Sequence, residues 1–163
     1  MHDFAVWLGK TSLHGGLAQE IWIIPVLQSV HILAIAMVLS AVAIIDLRLL
    51  GIVTVYSLEQ AVSRFVPLIW TGLAILLMTG AILIVAEPKR TLNGNPAFYL
   101  KMGMLVVAVG VTVAFQAAIR RNVALFSAGA RHRRLLQVSA LAILALWFAI
   151  AIAGRWIAYV QVG

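Results

Sequence analysis

Cysteine is missing from the chain altogether. That excludes disulfides, iron–sulfur clusters, thiolate metal sites and covalent c-type haem attachment. Charge is nearly as scarce: of 163 residues 10% are charged and only 5 are Asp or Glu. Asp, Glu and Ser are too few in the long apolar stretches for a hydrolytic triad or a carboxylate pair. A proton relay wants a carboxylate deep in a span, and the sequence places none there. No repeat of fixed period, no linker and no strand-like alternation is visible, which argues against a second domain and against a membrane barrel. The opening residues do not form a convincing signal peptide either, because FAVWL is short and Asp3 precedes it.

What the chain has is apolar length. It is 64% hydrophobic with a mean hydropathy of +1.08, more than a soluble domain of this size can hide. Four stretches, 23–45, 65–86, 98–119 and 135–159, each hold enough apolar residues to cross the ~30 Å hydrocarbon core. The expected fold is all-α, an integral membrane four-helix bundle in one domain. A short helix in DFAVWLGKTSLHGG lies at the interface, and Trp7, Trp22, Trp156 and Tyr159 form an aromatic belt. DLRLLG (Asp46 to Gly51) closes the first span, and Tyr56 to Arg64 makes an interfacial turn before the second.

The net charge of +7 is not a nucleic-acid footprint, since no aromatic residues interleave it. Arg120, Arg121, Arg131, Arg133 and Arg134 crowd one connection, as in a cytoplasmic loop held inside by the positive-inside rule and attractive to anionic head groups. That loop sets the topology: a multi-pass protein of a bacterial inner membrane, with Arg48 and Arg64 also inside and both termini periplasmic.

His31 is the one ionisable group in IIPVLQSVHILAIAMVLSAVAII (Ile23 to Ile45). An ionisable side chain in a span is costly and so faces a partner, a cofactor or water within the bundle. Counting 1.5 Å per residue puts His31 about 12 Å below the outer end of its span. Met78 lies level with it, Met104 is somewhat shallower, and Lys101 and Arg155 are about one turn from the outer ends of their own spans. Gln28 sits a turn above His31. Imidazole and thioether are haem axial ligands, and two cations above them suit haem propionates. The set therefore points to b-type haem with His31 on the iron, Met78 or Met104 opposite, and Lys101 with Arg155 as anion partners. A quinone fits the same groups. The plainer readings are snorkelling cations, gap-filling methionines and a histidine bonded to a neighbouring carbonyl.

Two rival classes stay open. One is a non-catalytic scaffold or subunit that docks a partner through small-residue faces such as Ala145, Ala149 and Ala153. The other is a small-solute or metal transporter acting as an oligomer. Gly72, Gly80, Gly103 and Gly110 mark further faces of close approach. Asp46 and Arg48 read as an ion-pair clamp at the inner helix ends, paired with each other or with Arg64 and the Arg120–Arg121 end of span three, and His14 as a metal-binding possibility at the surface.

WIIPVLQSVHILAIAMVLSAVAIIDLRLLG, NPAFYLKMGMLVVAVG and AGRWIAY together resemble a family of small bacterial four-span membrane proteins, classified mainly as a domain of unknown function. More loosely, a histidine early in one span and a lysine opening a later one look like membrane-bound protoporphyrinogen oxidase and copper-resistance D-type domains. That resemblance implies haem binding at His31 and a functional role for Lys101. The oxidase's long arginine-, tyrosine- and histidine-rich segment has no counterpart here, where DLRLLG stands in its place. The likeness therefore implies tetrapyrrole binding without the oxidase reaction, and electron transfer with a redox partner protein or quinone.

Overall fold

In the computed structural model, residues 6–7, 9–11, 15, 21–88, 92, 95–121 and 130–157 are described. They form four long helices: α1 (Ile23–Leu50), α2 (Leu58–Ala86), α3 (Pro96–Arg121) and α4 (Ala130–Trp156). Each contains a segment long and apolar enough to cross a bilayer, the shortest being Gln137–Trp156 with 20 residues. Multi-pass membrane residence follows from these segments. Much of the proposed N-terminal interfacial helix, Tyr159 of the aromatic belt and most of the Arg120–Arg134 connection lie outside the described residues.

Helix ends explain why α1 and α2 are longer than hydropathy alone indicates. Asp46 and Arg48 do not close α1, which runs on to Leu50 and stops where Gly51 adopts φ 81° and ψ 11°. A glycine takes that left-handed conformation without Cβ strain, so it terminates the helix while its N–H bonds back to Arg48. Residues 58–64 are not an interfacial turn. Ser57 and Gln60 form a reciprocal capping box that starts α2 at Leu58. At α3 the start is fixed by Pro96 behind Asn95. The Asn95 Oδ1 accepts from Ala97 N at 3.1 Å, and its amide donates across to the Ile157 carbonyl.

The helices run alternately up and down. α1 packs on α2 and α4, and α3 packs on α4. One core unites all four: Val38, Val42 and Ile45 of α1 meet Ile69 and Leu73 of α2, Ala108 of α3 and Trp147 of α4. The closest approach of α1 and α2 is at Gly72, where a Cβ would stand 2.5 Å from Val38 Cγ2. Without a hydrophobic drive between helices in lipid, such backbone proximity is a main source of packing energy. Leu33, Leu77 and Val106 are exposed, as lipid-facing side chains are. Gly103 and Gly110 meet nothing within 4 Å, so among the described residues they are not points of close approach.

Candidate functional site

Antiparallel order gives the bundle two ends with different chemistry. At the end where α1 begins, His31 of α1 faces α2. Its Nδ1 lies 2.7 Å from Thr79 Oγ1, and the same hydroxyl lies 2.7 Å from the Ile75 carbonyl one turn back. Thr79 has one hydroxyl proton, and the carbonyl can only accept it. The imidazole therefore donates from Nδ1 to the threonine oxygen, and Nε2 keeps its lone pair. This is the arrangement that prepares a histidine to ligate a metal or accept a proton: one nitrogen held by a fixed partner, the other available. Thr79 was not a candidate from sequence. A hydroxyl bonded to the carbonyl four residues back is common in apolar helices, and only the pairing with His31 marks it.

Gly80 and Gly154 make room beside the polar groups. A Cβ on Gly80 would stand 3.6 Å from His31 Cε1, and one on Gly154 would stand 3.1 Å from Lys101 Nζ. Lys101 thus lies over α4 near its far end, half-buried. The histidine and the lysine lie toward the same end of the bundle, beside different helices.

The other candidates divide. Met78 is 68% exposed and faces away from the bundle. It follows from the position of Thr79: adjacent helical residues point about 100° apart, so with Thr79 turned to His31 its neighbour faces lipid. Met78 is not placed to ligate anything held by His31 within this chain. Met104 is half-buried and packed against the core. Gln28 is exposed, as is Arg155 at the last turn of α4. Ala145 is exposed while Ala149 and Ala153 are half-buried, so the small-residue stripe runs along the rim of α4. His14 lies outside the described residues. Among the described residues no group of three or more His, Asp or Glu could hold a metal ion.

At the opposite end, one version of the expected clamp is not formed, and the side chains of Arg120 and Arg121 lie outside the described residues. No ion pair joins Asp46 to Arg48 among the described residues; two positions apart on a helix they point to different sides. Asp46 is instead 2% exposed and turned into the bundle, with Thr112 and Gln116 of α3 nearby. The apparent lack of a buried carboxylate in the spans is corrected by this residue: α1 carries one because it continues past Ile45. Arg64 lies over the Tyr56 ring at 5.9 Å.

A family model described as "Family of unknown function (DUF6644)" matches residues 3–160, nearly the whole chain. No curated protein and no solved structure matches it.

Proposed function

The chain belongs to this family of unknown function, and from that premise we propose that it is a membrane electron-transfer protein that binds b-type haem at the His31 end. The observation that carries the reading is the His31–Thr79 pair, which leaves Nε2 as an unprotonated donor within an apolar bundle. That nitrogen would ligate the haem iron, and the Lys101 ammonium toward the same end would pair with an anionic propionate. Bound haem supplies one-electron iron chemistry. The chain's own part is to hold the imidazole in one tautomer and to surround it with helices that keep bulk water away. Thr79 orients the ring and Lys101 adds positive charge beside it, while Met104 is the methionine left on the bundle side.

A quinone is the second reading, and the exposure of Met78 favours it by removing one sixth-ligand candidate. Here Nε2 would accept a hydrogen bond from one hydroxyl of a quinol, and Lys101 would donate to the oxygen at the other end of the ring. The test is an optical spectrum of the purified full-length protein. Haem gives a Soret band that His31→Ala removes. A colourless, folded protein that copurifies with quinone in a His31-dependent manner selects the second reading, and a colourless one without quinone ends both.

The proposed setting is a bacterial inner membrane with both termini on the periplasmic side, supported by the arginines between α3 and α4. Alkaline phosphatase fused behind Gly163 is then active and the same enzyme fused within 122–129 is inactive. The reverse pattern inverts the topology.

A further inference from the structure

The Asp46 end contains a polar group that electron transfer at His31 does not use. Asp46 of α1 and Thr112 and Gln116 of α3 line one cavity of about 20 Å³, whose remaining walls are aliphatic or aromatic side chains from all four helices. Asp46 Oδ2 is buried with no hydrogen-bond partner, and so is Gln116 Nε2. The identity of that amide end is settled by Trp70, whose indole can only donate. Its Nε1 donates to Gln116 Oε1 at 3.2 Å, which leaves the NH₂ as the unsatisfied end. The Thr112 hydroxyl donates to the Ala108 carbonyl at 2.7 Å, so its oxygen still accepts.

A carboxyl oxygen, an amide donor and a hydroxyl acceptor therefore border a space just above the roughly 10–15 Å³ that one water requires, and a buried water makes about three hydrogen bonds. Among the described residues, α2, α3 and α4 contribute no charged or second titratable side chain to the cavity. Arg48 stands two positions along α1 from Asp46, so the two side chains leave the helix on different sides, and its Nε is itself buried without a hydrogen-bond partner. Arg64 lies over Tyr56, and Arg134 is exposed. An unpaired carboxylate in such surroundings is strongly disfavoured against its neutral acid. A metal cation is disfavoured too, because the free end of Gln116 is a donor and hard cations require oxygen ligands.

We infer that Asp46, Thr112 and Gln116 form a proton site, in which Asp46 is held as the neutral carboxylic acid and shares its proton with one bound water. Oδ2–H donates to the water, Gln116 Nε2 donates to it as well, and the water donates to Thr112 Oγ1. The site is independent of what binds at His31.

Infrared spectroscopy of the full-length protein in lipid nanodiscs at neutral pH tests it. The expected result is a carboxylic-acid C=O band that shifts in D₂O and is lost in Asp46→Asn. In Gln116→Leu the same band moves to higher frequency, because a partner of the water is gone. Absence of the band from the wild type, or its survival in Asp46→Asn, overturns the inference, and a band unmoved by Gln116→Leu overturns the water site. If Asp46→Asn does not fold, a hydrophobic carbodiimide, which modifies protonated buried carboxyls, takes its place. Mass spectrometry of wild-type peptides then finds the adduct on Asp46 if the site is as described, and finds Asp46 unmodified if it is not.

Discussion

At the end of the bundle where α1 begins, a half-buried neutral imidazole donates a hydrogen bond from Nδ1 to Thr79 Oγ1 and keeps a lone pair on the other nitrogen. At the end where α1 stops, a carboxyl that is 2% exposed has an oxygen with no partner at all. Both groups sit on one helix, fifteen positions apart (46 − 31), and both face inward. The histidine end is satisfied by protein and poised toward something outside the chain. At the aspartate end the residues that carry unsatisfied atoms line one water-sized space. Buried polar groups need partners. One end supplies them from a neighbouring helix, and the other leaves them to a bound molecule.

Swapping the lesions gives the largest separation of the two ends. His31→Ala is expected to abolish the Soret band entirely and leave the Asp46 infrared band in place, while Asp46→Asn does the opposite. If either substitution removes both signals with the fold intact, the two ends are not independent. Damage to what they share comes next. A Cβ at Gly72 would collide with Val38 Cγ2, and Met37 Cε stands at 3.0 Å. Gly72→Ala is therefore expected to cost about 1–3 kcal/mol through overpacking, read as a lower unfolding midpoint in detergent, with both signals weakened together. An unchanged midpoint means that the α1–α2 contact does not hold the ends in register.

The finest contrast lies within one helical turn. Thr79→Val keeps the volume but removes the oxygen that fixes the His31 tautomer. Loss of an outer partner of this kind typically lowers metal affinity about 10–100-fold, measurable as weaker haem retention, and Thr79→Ser restores it. The neighbouring Met78→Leu leaves haem retention and spectrum unchanged, because that side chain faces lipid. A spectral change in Met78→Leu would require a second copy of the chain to bring its methionine to the site.

How much of this was legible follows from what kind of information each feature needs. Four spans, their approximate limits and the placing of His31 and Lys101 toward one end could be read from run length and depth, because both scale with residue number along an axis. The ends of α1 and α2 could also have been read: Gly51 is a helix stop and Ser57 with Gln60 a helix start, although Asp46 and Arg48 suggested an earlier break. Asp46 itself reads in the sequence as part of an ion-pair clamp with Arg48, Arg64 or the Arg120–Arg121 end of span three, because a carboxylate near a helix end among arginines has that ordinary use. Thr79 and Gln116 carried no legible mark, since a threonine or glutamine in a span has several ordinary uses.

By itself, then, the sequence determined that this is a chain of four apolar helices, because the free energy of placing a segment in lipid depends on its composition and length, which are local properties. Only the tertiary structure decided which sides of those helices face inward. That choice follows from how closely two backbones can approach, as at Gly72, and it separates Thr79 from Met78 and Asp46 from Arg48. A rotation of one residue, about 100°, turns a polar side chain from lipid to core, and no count along the chain contains that angle.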